Sequence, residues 1–378
     1  ILRIIRSGNY FAMININSIT RKRIAILLTF ILIIAAFFLV ITGAGICSVT
    51  YSLNETIVPI LTYHKFCIGD SPDDYTINID LFEEHIAYLN DNGYKIISIS
   101  QLLECIRNNF FPEKPVVITI DDGFKSVYEL AFPILKKYQI PANLFLYTDF
   151  IGNGHHQLSW QEIREMIDTG IEIGSHTLSH SNLLNMKKDE SHIEYLERIE
   201  KEITLSRAIL ERNTGVTVES FAYPYGVYSR EIKMIAEKAG YEALLNVNSM
   251  NNSIPIDPFS LNRQIIPAGF SKQRLVKLLQ QKTLEVYDVF PADGAVTDNQ
   301  EIKIGALLNN PNIEPDSLFF RLSGSGLLNY DYCNELHEVS FTPVAPKLLQ
   351  KRTWIANITA YDKITNDERK KSWLFTIR

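Results

Sequence analysis

Two neighbouring carboxylates, Asp121 and Asp122, close the run ITIDDGF (118–124), and Gly123 frees the backbone to turn directly after them. The run before them, PVVITI (115–120), is β-branched and reads as a buried strand. Two acids at the end of such a strand resist desolvation, and a metal ion compensates one of them well. For this fragment alone, an ordinary Asp-Gly turn or an Asp helix cap is the plain alternative. A second fragment, GSHTLSH (174–180), follows another strand pattern, IEIG (171–174). His176 and His180 are four residues apart, which on a helical turn puts both imidazoles on one face. With Asp122 they make a two-histidine, one-carboxylate set, which leaves positions open for water and substrate as a catalytic metal site needs.

Two more strand ends carry candidates. In FAYPYG (221–226), Pro224 and Gly226 fix a tight turn that can aim a backbone N–H at a developing oxyanion. In LTYHKF (61–66), His64 follows the first strand, where a histidine beside an activated water can serve as general acid; a purely structural histidine is the alternative. His155 and His156, in GNGHHQ (152–157), read as solvated loop residues, and Tyr223 as packing.

The elements that must position these residues alternate. Strand-like runs at 58–63, 95–99, 115–120, 142–147, 171–174, 220–223, 242–247 and 263–267 are separated by helical patterns that include 80–94, 100–109, 126–138, 159–170, 189–212 and 229–240. This α/β alternation predicts a parallel sheet with helices outside, a distorted (β/α) barrel of seven or eight strands over 57–282, with an open doubly wound sheet as the alternative. Ligands of either fold bind at the C-terminal ends of the strands, where all four fragments fall. From 283 to 378 the pattern changes to short alternating runs between Pro, Gly, Asn and Asp turns. It predicts an immunoglobulin-like β-sandwich module without a catalytic cluster.

Together the fragments resemble the NodB-homology polysaccharide deacetylases, carbohydrate esterase family 4, over roughly residues 57–280. The opening VPILTYH resembles the subgroup acting on poly-N-acetylglucosamine of biofilms, in which the motif order is permuted and the catalytic histidine comes first. The resemblance implies that Asp121 is the catalytic base, that Asp122, His176 and His180 bind a divalent metal, and that His64 protonates the leaving amine. It implies zinc first, with cobalt, nickel or iron as alternatives. Tyr225, on the turn fixed by Pro224, would line the groove and lend its backbone N–H to the oxyanion. Arg263, in LNRQII, would orient and ion-pair Asp121, and Leu244 and Leu245 would wall the acetyl methyl.

Two departures accompany it. Ala222 stands where the widespread family motif has arginine, and no later Leu-x-His motif precedes the β-rich region. In the permuted subgroup, Arg263 and His64 would take those places. The implied reaction is metal-assisted hydrolysis of an N-acetyl amide on an extracellular or cell-wall N-acetylglucosamine polysaccharide. Two other readings compete: an O-acetyl esterase using the same site, and an inactive surface protein that binds glycan or mediates adhesion. Ala222 and the β-rich tail favour the last; the intact Asp121–Asp122 pair disfavours it.

At 46% hydrophobic and 21% charged, the 378-residue chain has the composition of folded protein. Residues 24–46 carry no charge and are long enough to span a bilayer as one helix. Arg21, Lys22 and Arg23 precede them and hold 1–23 in the cytoplasm, with the catalytic region outside. A cleaved signal is the alternative, and Ile46 disfavours a lipoprotein anchor at Cys47. Met13 opens a more natural N-terminus than Ile1. Residues 1–23 hold five basic residues and no acid, which leaves 32 basic against 43 acidic residues beyond them, a net charge of −11. Such an exterior excludes nucleic acid as the expected partner and suits a neutral or cationic glycan. Cys47, Cys67, Cys105 and Cys333 show no CxxC pairing, so a zinc ribbon or disulfide scaffold is not expected; Cys67–Cys105 is the one bridge worth weighing.

Overall fold

The strand-like runs form eight parallel strands: β1 (Ile60–Tyr63), β2 (Lys95–Ile97), β3 (Pro115–Asp122), β4 (Asn143–Leu146), β5 (Glu172–Ser175), β6 (Ser220–Ala222), β7 (Ala243–Leu245) and β8 (Gln264–Ile265). They are seen in a computed structural model that describes residues 55–152, 154–323, 326–327, 329–333, 337–342 and 349–378. The sheet runs β7-β6-β5-β4-β3-β1-β8, and β2 pairs with the first residues of β3. It curls until Leu245, at the end of β7, bridges Leu261 just ahead of β8, so the two edges almost meet as a distorted barrel. The expected span 24–46 and basic segment 1–23 lie outside the described residues. Among those described, no helix is long and apolar enough to cross a membrane.

Strand alternation sorts the side chains into two layers. Leu61, Tyr63, Ile118, Ile120, Phe221 and Leu244 face the surrounding helices, whereas Ile60, Val117, Phe145, Ala222, Leu245 and Leu261 fill the interior of the curl. The α-helices among the described residues are α1 (Ile79–Asp91), α2 (Ile99–Asn108), α3 (Phe132–Tyr138), α4 (Trp160–Ile167), α5 (His192–Thr214), α6 (Arg230–Lys238) and α7 (Lys272–Gln280). Ser98, Ser159 and Ser191 start α2, α4 and α5 with reciprocal capping boxes to Gln101, Glu162 and Glu194, contributing about 1 kcal/mol per cap. The single helix predicted over 126–138 is instead a π-helical turn, Val127–Ala131, followed by α3. Pro133 has no N–H to offer the preceding turn, so the α ladder cannot run through it unbroken.

Beyond the barrel, β9 (Val286–Phe290), β10 (Ile304–Leu308), β11 (Asn329–Cys333) and β12 (Glu338–Thr342) form a four-stranded antiparallel sheet in the order β9-β10-β12-β11. A six-stranded sheet is built on the long hairpin Thr353–Tyr361 with Glu368–Ile377. Both sheets share one buried core that includes Phe320, Phe341, Trp354 and Trp373. Residues 55–378 pack as one unit. Leu374 joins the barrel core, the Tyr228 hydroxyl donates to Asp293, and Arg369 pairs with Glu55. Cys67, Cys105 and Cys333 are free thiols, so no Cys67–Cys105 bridge forms.

Candidate active site

β3 delivers both carboxylates to the C-terminal rim, where Asp121 is in register with Phe145 and Asp122 with Leu146 of β4. Regular alternation would send the two side chains to opposite faces. Asp122 breaks it with φ 77°, a left-handed value that aspartate tolerates better than most residues, and both carboxylates then line one cleft. Gly123 follows at φ 94°, and a Cβ there would lie 2.7 Å from Ile151, so the turn needs glycine.

His176 leaves the end of β5 and is buried. Its Nδ1 lies 2.7 Å from the carbonyl of Ala222. A carbonyl only accepts, so Nδ1 carries the proton and Nε2 keeps its lone pair for the cleft. The helical turn expected between His176 and His180 is absent. Residues 176–180 form a loop in which Thr177 has φ 72° and His180 φ 57°. Each such value costs an L-residue roughly 1–2 kcal/mol, and a β-branched threonine adopts it rarely. The result still brings the rings together, with centroids 4.8 Å apart. His180 Nε2 is 3.3 Å and His176 Nε2 3.9 Å from Asp122 Oδ1.

Asp121 stands beside this set rather than in it. Its Oδ1 accepts from Nη1 of Arg263 at 2.7 Å, and its Oδ2 is 3.8 Å from His176 Nε2. Arg263 is buried, donates through Nε to the Asn246 carbonyl at 3.1 Å, and lies over the ring of Phe145. Burial works against the Asp121 carboxylate, yet the charge and hydrogen bond of Arg263, together with the neighbouring His176 and His64, outweigh it and hold the pKa below the usual carboxylate range. Asp122 has no such partner, and burial together with the Asp121 charge pushes it up to about 7. Burial likewise lowers His176 to about 3 and depresses His180.

These observations fit a divalent cation. The ligand atoms of Asp122, His176 and His180 lie within 4.8 Å of one another, and the buried Oδ1 of Asp122 has no hydrogen-bond partner. Two bonds of about 2.1 Å to one ion span at most about 4.2 Å, which takes in the 3.3 and 3.9 Å separations of the two imidazoles from Asp122 Oδ1. Neutral imidazoles with free lone pairs and a carboxylate short of compensation are the donors such an ion requires.

His64 follows β1 on the same cleft, with a buried Nδ1 that lacks a partner and a pKa lowered by burial. Tyr225 sits at φ 60° and is 60% exposed, its ring 4.8 Å from that of His180. The next residue, Gly226, packs so closely on Val247 that a Cβ would overlap it at 1.9 Å, which holds Tyr225 out over the cleft. Pro224 is buried within this turn and does not line the cleft. His155 and His156 are exposed and lie off the cleft. Tyr223 stacks on Tyr228 and meets Phe221 edge-on.

The wall assigned to Leu244 and Leu245 must be moved. Leu245 is fully buried in the barrel interior, in register with Ala222, and Leu244 faces the helices. The rim lies two residues further on, where Val247 lines the cleft with Ile265 and the half-exposed Tyr75. Alternation along EALLNV held the signal for Val247, since it shares a face with Leu245. Tyr75 had none, because it arrives on the loop after β1 and meets His64 with ring centroids 5.2 Å apart. The cleft encloses about 250 Å³.

The sequence model of the family described as polysaccharide deacetylase matches residues 108–244, a stretch that holds Asp121, Asp122, His176, His180 and Tyr225 but neither His64 nor Arg263. Among curated proteins, YxkH of Bacillus subtilis, named as a polysaccharide deacetylase, is 30% identical over 215 residues, covering 57% of this chain and 73% of that protein. The poly-β-1,6-N-acetyl-D-glucosamine N-deacetylase of Staphylococcus aureus is 32% identical over 172 residues, covering 44% of this chain and 59% of that protein. Among solved structures, the Streptococcus pyogenes deacetylase PplD in complex with acetate superposes with a TM-score of 0.54 at 26% identity, over 60% of this chain and 99% of that one. The match to YxkH takes in nearly three quarters of that protein, and the fold is shared with PplD, so the chain belongs to the polysaccharide deacetylase family, hydrolases of carbon–nitrogen bonds other than peptide bonds.

Proposed function

We propose that the chain is a metal-dependent N-deacetylase of an extracellular or cell-wall polysaccharide containing N-acetylglucosamine. The observation that carries this reading is the Asp122–His176–His180 set on an open cleft, with Asp121 beside it held by Arg263 instead of by the set. The activity for which the staphylococcal relative is named, on poly-β-1,6-N-acetyl-D-glucosamine, supports that polymer as the first to test.

A divalent cation on those three ligands, zinc ahead of cobalt, nickel or iron, supplies Lewis-acid polarisation of the acetyl carbonyl and eases deprotonation of the attacking water. Asp121, kept ionised and aimed by Arg263, takes the proton of that water as its oxygen attacks the acetyl carbon. The backbone N–H of Tyr225 donates to the oxygen that gains charge. His64 hands a proton to the amide nitrogen as the C–N bond breaks, releasing acetate and a free amine. Arg263 does the work that the family's usual arginine would do from the position of Ala222.

The uncharged run 24–46, with Arg21, Lys22 and Arg23 before it, supports a membrane tether with the catalytic region outside the cell. The functional test is acetate release from poly-β-1,6-N-acetylglucosamine, chitin oligomers, peptidoglycan and O-acetylated xylan, with and without chelator. Chelator-sensitive release from an N-acetylated polymer is expected. Release from the ester substrate alone would replace this reading with the esterase. No release from any of them by zinc-loaded protein would leave a binding role.

A further inference from the structure

The loop that carries both metal-facing histidines has two left-handed residues and belongs to neither strand nor helix. Something must hold it, because the bite of two imidazoles on one ion depends on its shape. The holder comes from α5, 22 residues after His180. The carboxylate of Glu202, only 9% exposed, accepts from the backbone N–H of Leu178 at 3.1 Å, the backbone N–H of Ser179 at 2.9 Å and the Ser179 hydroxyl at 2.7 Å. One turn further along the same helix face, the Ser206 hydroxyl meets that of Ser175 at 2.6 Å, just before His176. Both ends of the loop are therefore fixed to one helix. A buried carboxylate whose three hydrogen-bond donors, among the described residues, come from a single loop is a poor surface charge and a good clamp.

We propose that Glu202 is the positioning residue of the metal centre, holding the 176–180 loop so that His176 and His180 face Asp122 before any ion arrives. This rests on the metal reading above. The clamp works through the loop, and Glu202 itself touches neither ion nor substrate. Replacing its carboxylate by an amide leaves one neutral oxygen for the two backbone N–H groups and forces the Ser179 hydroxyl to turn from donor to acceptor, so the charge-assisted bonds that hold the loop are lost while side-chain volume is conserved.

The test is metal affinity of the full chain, followed by the visible absorption of Co²⁺ and by Zn²⁺ competition, together with the melting temperature of the metal-free protein. Glu202→Gln is expected to bind Zn²⁺ about 10–100-fold more weakly than wild type. A folded Glu202→Gln with wild-type affinity overturns the proposal, even where its melting temperature is lower, since that is the signature of a merely structural role. Should Glu202→Gln fail to fold, Ser179 decides. Ser179→Ala is then expected to weaken binding about tenfold and Ser179→Thr, which keeps the hydroxyl, to restore it; equal affinities for the two overturn the clamp. A wild-type chain that binds neither ion overturns the metal reading itself, an outcome distinct from all of these.

Discussion

Nη1 of Arg263 donates to Oδ1 of Asp121 across 2.7 Å, in a pair that is almost wholly buried and spans 142 residues of sequence. Removing one partner of such a pair strands the other charge, which typically costs about 3–5 kcal/mol. Arg263→Met should destabilise by about that much in urea unfolding. It should also raise the Asp121 pKa, because burial then acts without the guanidinium, so the acid limb of kcat/KM moves to higher pH. Asp121→Asn should cut turnover by about 10²–10⁴ while zinc content stays at wild type, because Asp121 lies outside the ligand set. Full activity in Asp121→Asn would end its assignment as base.

Metal removal offers a second check. Loading with Zn²⁺ at about one hundred times its Kd should add about 2.7 kcal/mol of stability, lost again on chelation together with acetate release. His176→Ala removes a ligand whose orientation is fixed by the Ala222 carbonyl, and neither zinc-dependent stabilisation nor activity should remain. Undiminished acetate release from exhaustively chelated protein would remove the ion from the account.

How far the sequence could be read follows from the range of the interactions involved. Asp121 and Asp122 were legible because a strand, a carboxylate pair and a glycine sit together in one short run, and the barrel because alternation is a local signal. The pairing of Asp121 with Arg263 was reached only through family resemblance, since nothing within ten residues of either announces a contact 142 positions away. The 176–180 loop was misread as helical because i,i+4 spacing is all that sequence displays; the left-handed Thr177 and His180 depend on contacts supplied by α5. Glu202 stayed hidden among the charged residues of that helix, where a glutamate looks solvated. Leu245 was placed one same-face step too low because strand ends are the least certain feature of a pattern.

Ala222 makes the departure from the family motif testable. It is fully buried in the interior cluster with Phe145, whose ring lies beneath Arg263. Ala222→Arg on its own crowds a second guanidinium toward one carboxylate, and destabilisation above about 3 kcal/mol is expected. Combined with Arg263→Ala, the new arginine has Asp121 to itself. A double-mutant cycle read by unfolding and by acetate release should show favourable coupling of at least about 1 kcal/mol. Simple additivity would mean that the two positions do not exchange roles.

His85 predicts the pH dependence of folding. It is fully buried; its Nε2 lies 2.7 Å from the Phe270 carbonyl and its Nδ1 3.1 Å from the Tyr63 hydroxyl. The carbonyl only accepts, so Nε2 holds the proton, Nδ1 accepts from tyrosine, and the neutral ring has both nitrogens used. Burial lowers its pKa against the opposing pulls of the Phe270 carbonyl and Glu84. The folded pKa therefore lies below the ordinary value of about 6.5, and the unfolded chain takes up the proton first as pH falls. Stability should be fully present above about pH 6.5 and decline below it, by at most about 1.4 kcal/mol per pH unit from this one group. His64, His176 and His180 are depressed in the same direction, whereas Asp122, raised to about 7, acts with the opposite sign over the same window, so the wild-type slope sums several groups. His85→Gln isolates one of them. Its urea-unfolding free energy, compared with wild type at pH 7.5, 6.5 and 5.5 in chelator on the scale of that single-proton slope, should fall less steeply, and parallel curves would show that His85 does not titrate on unfolding.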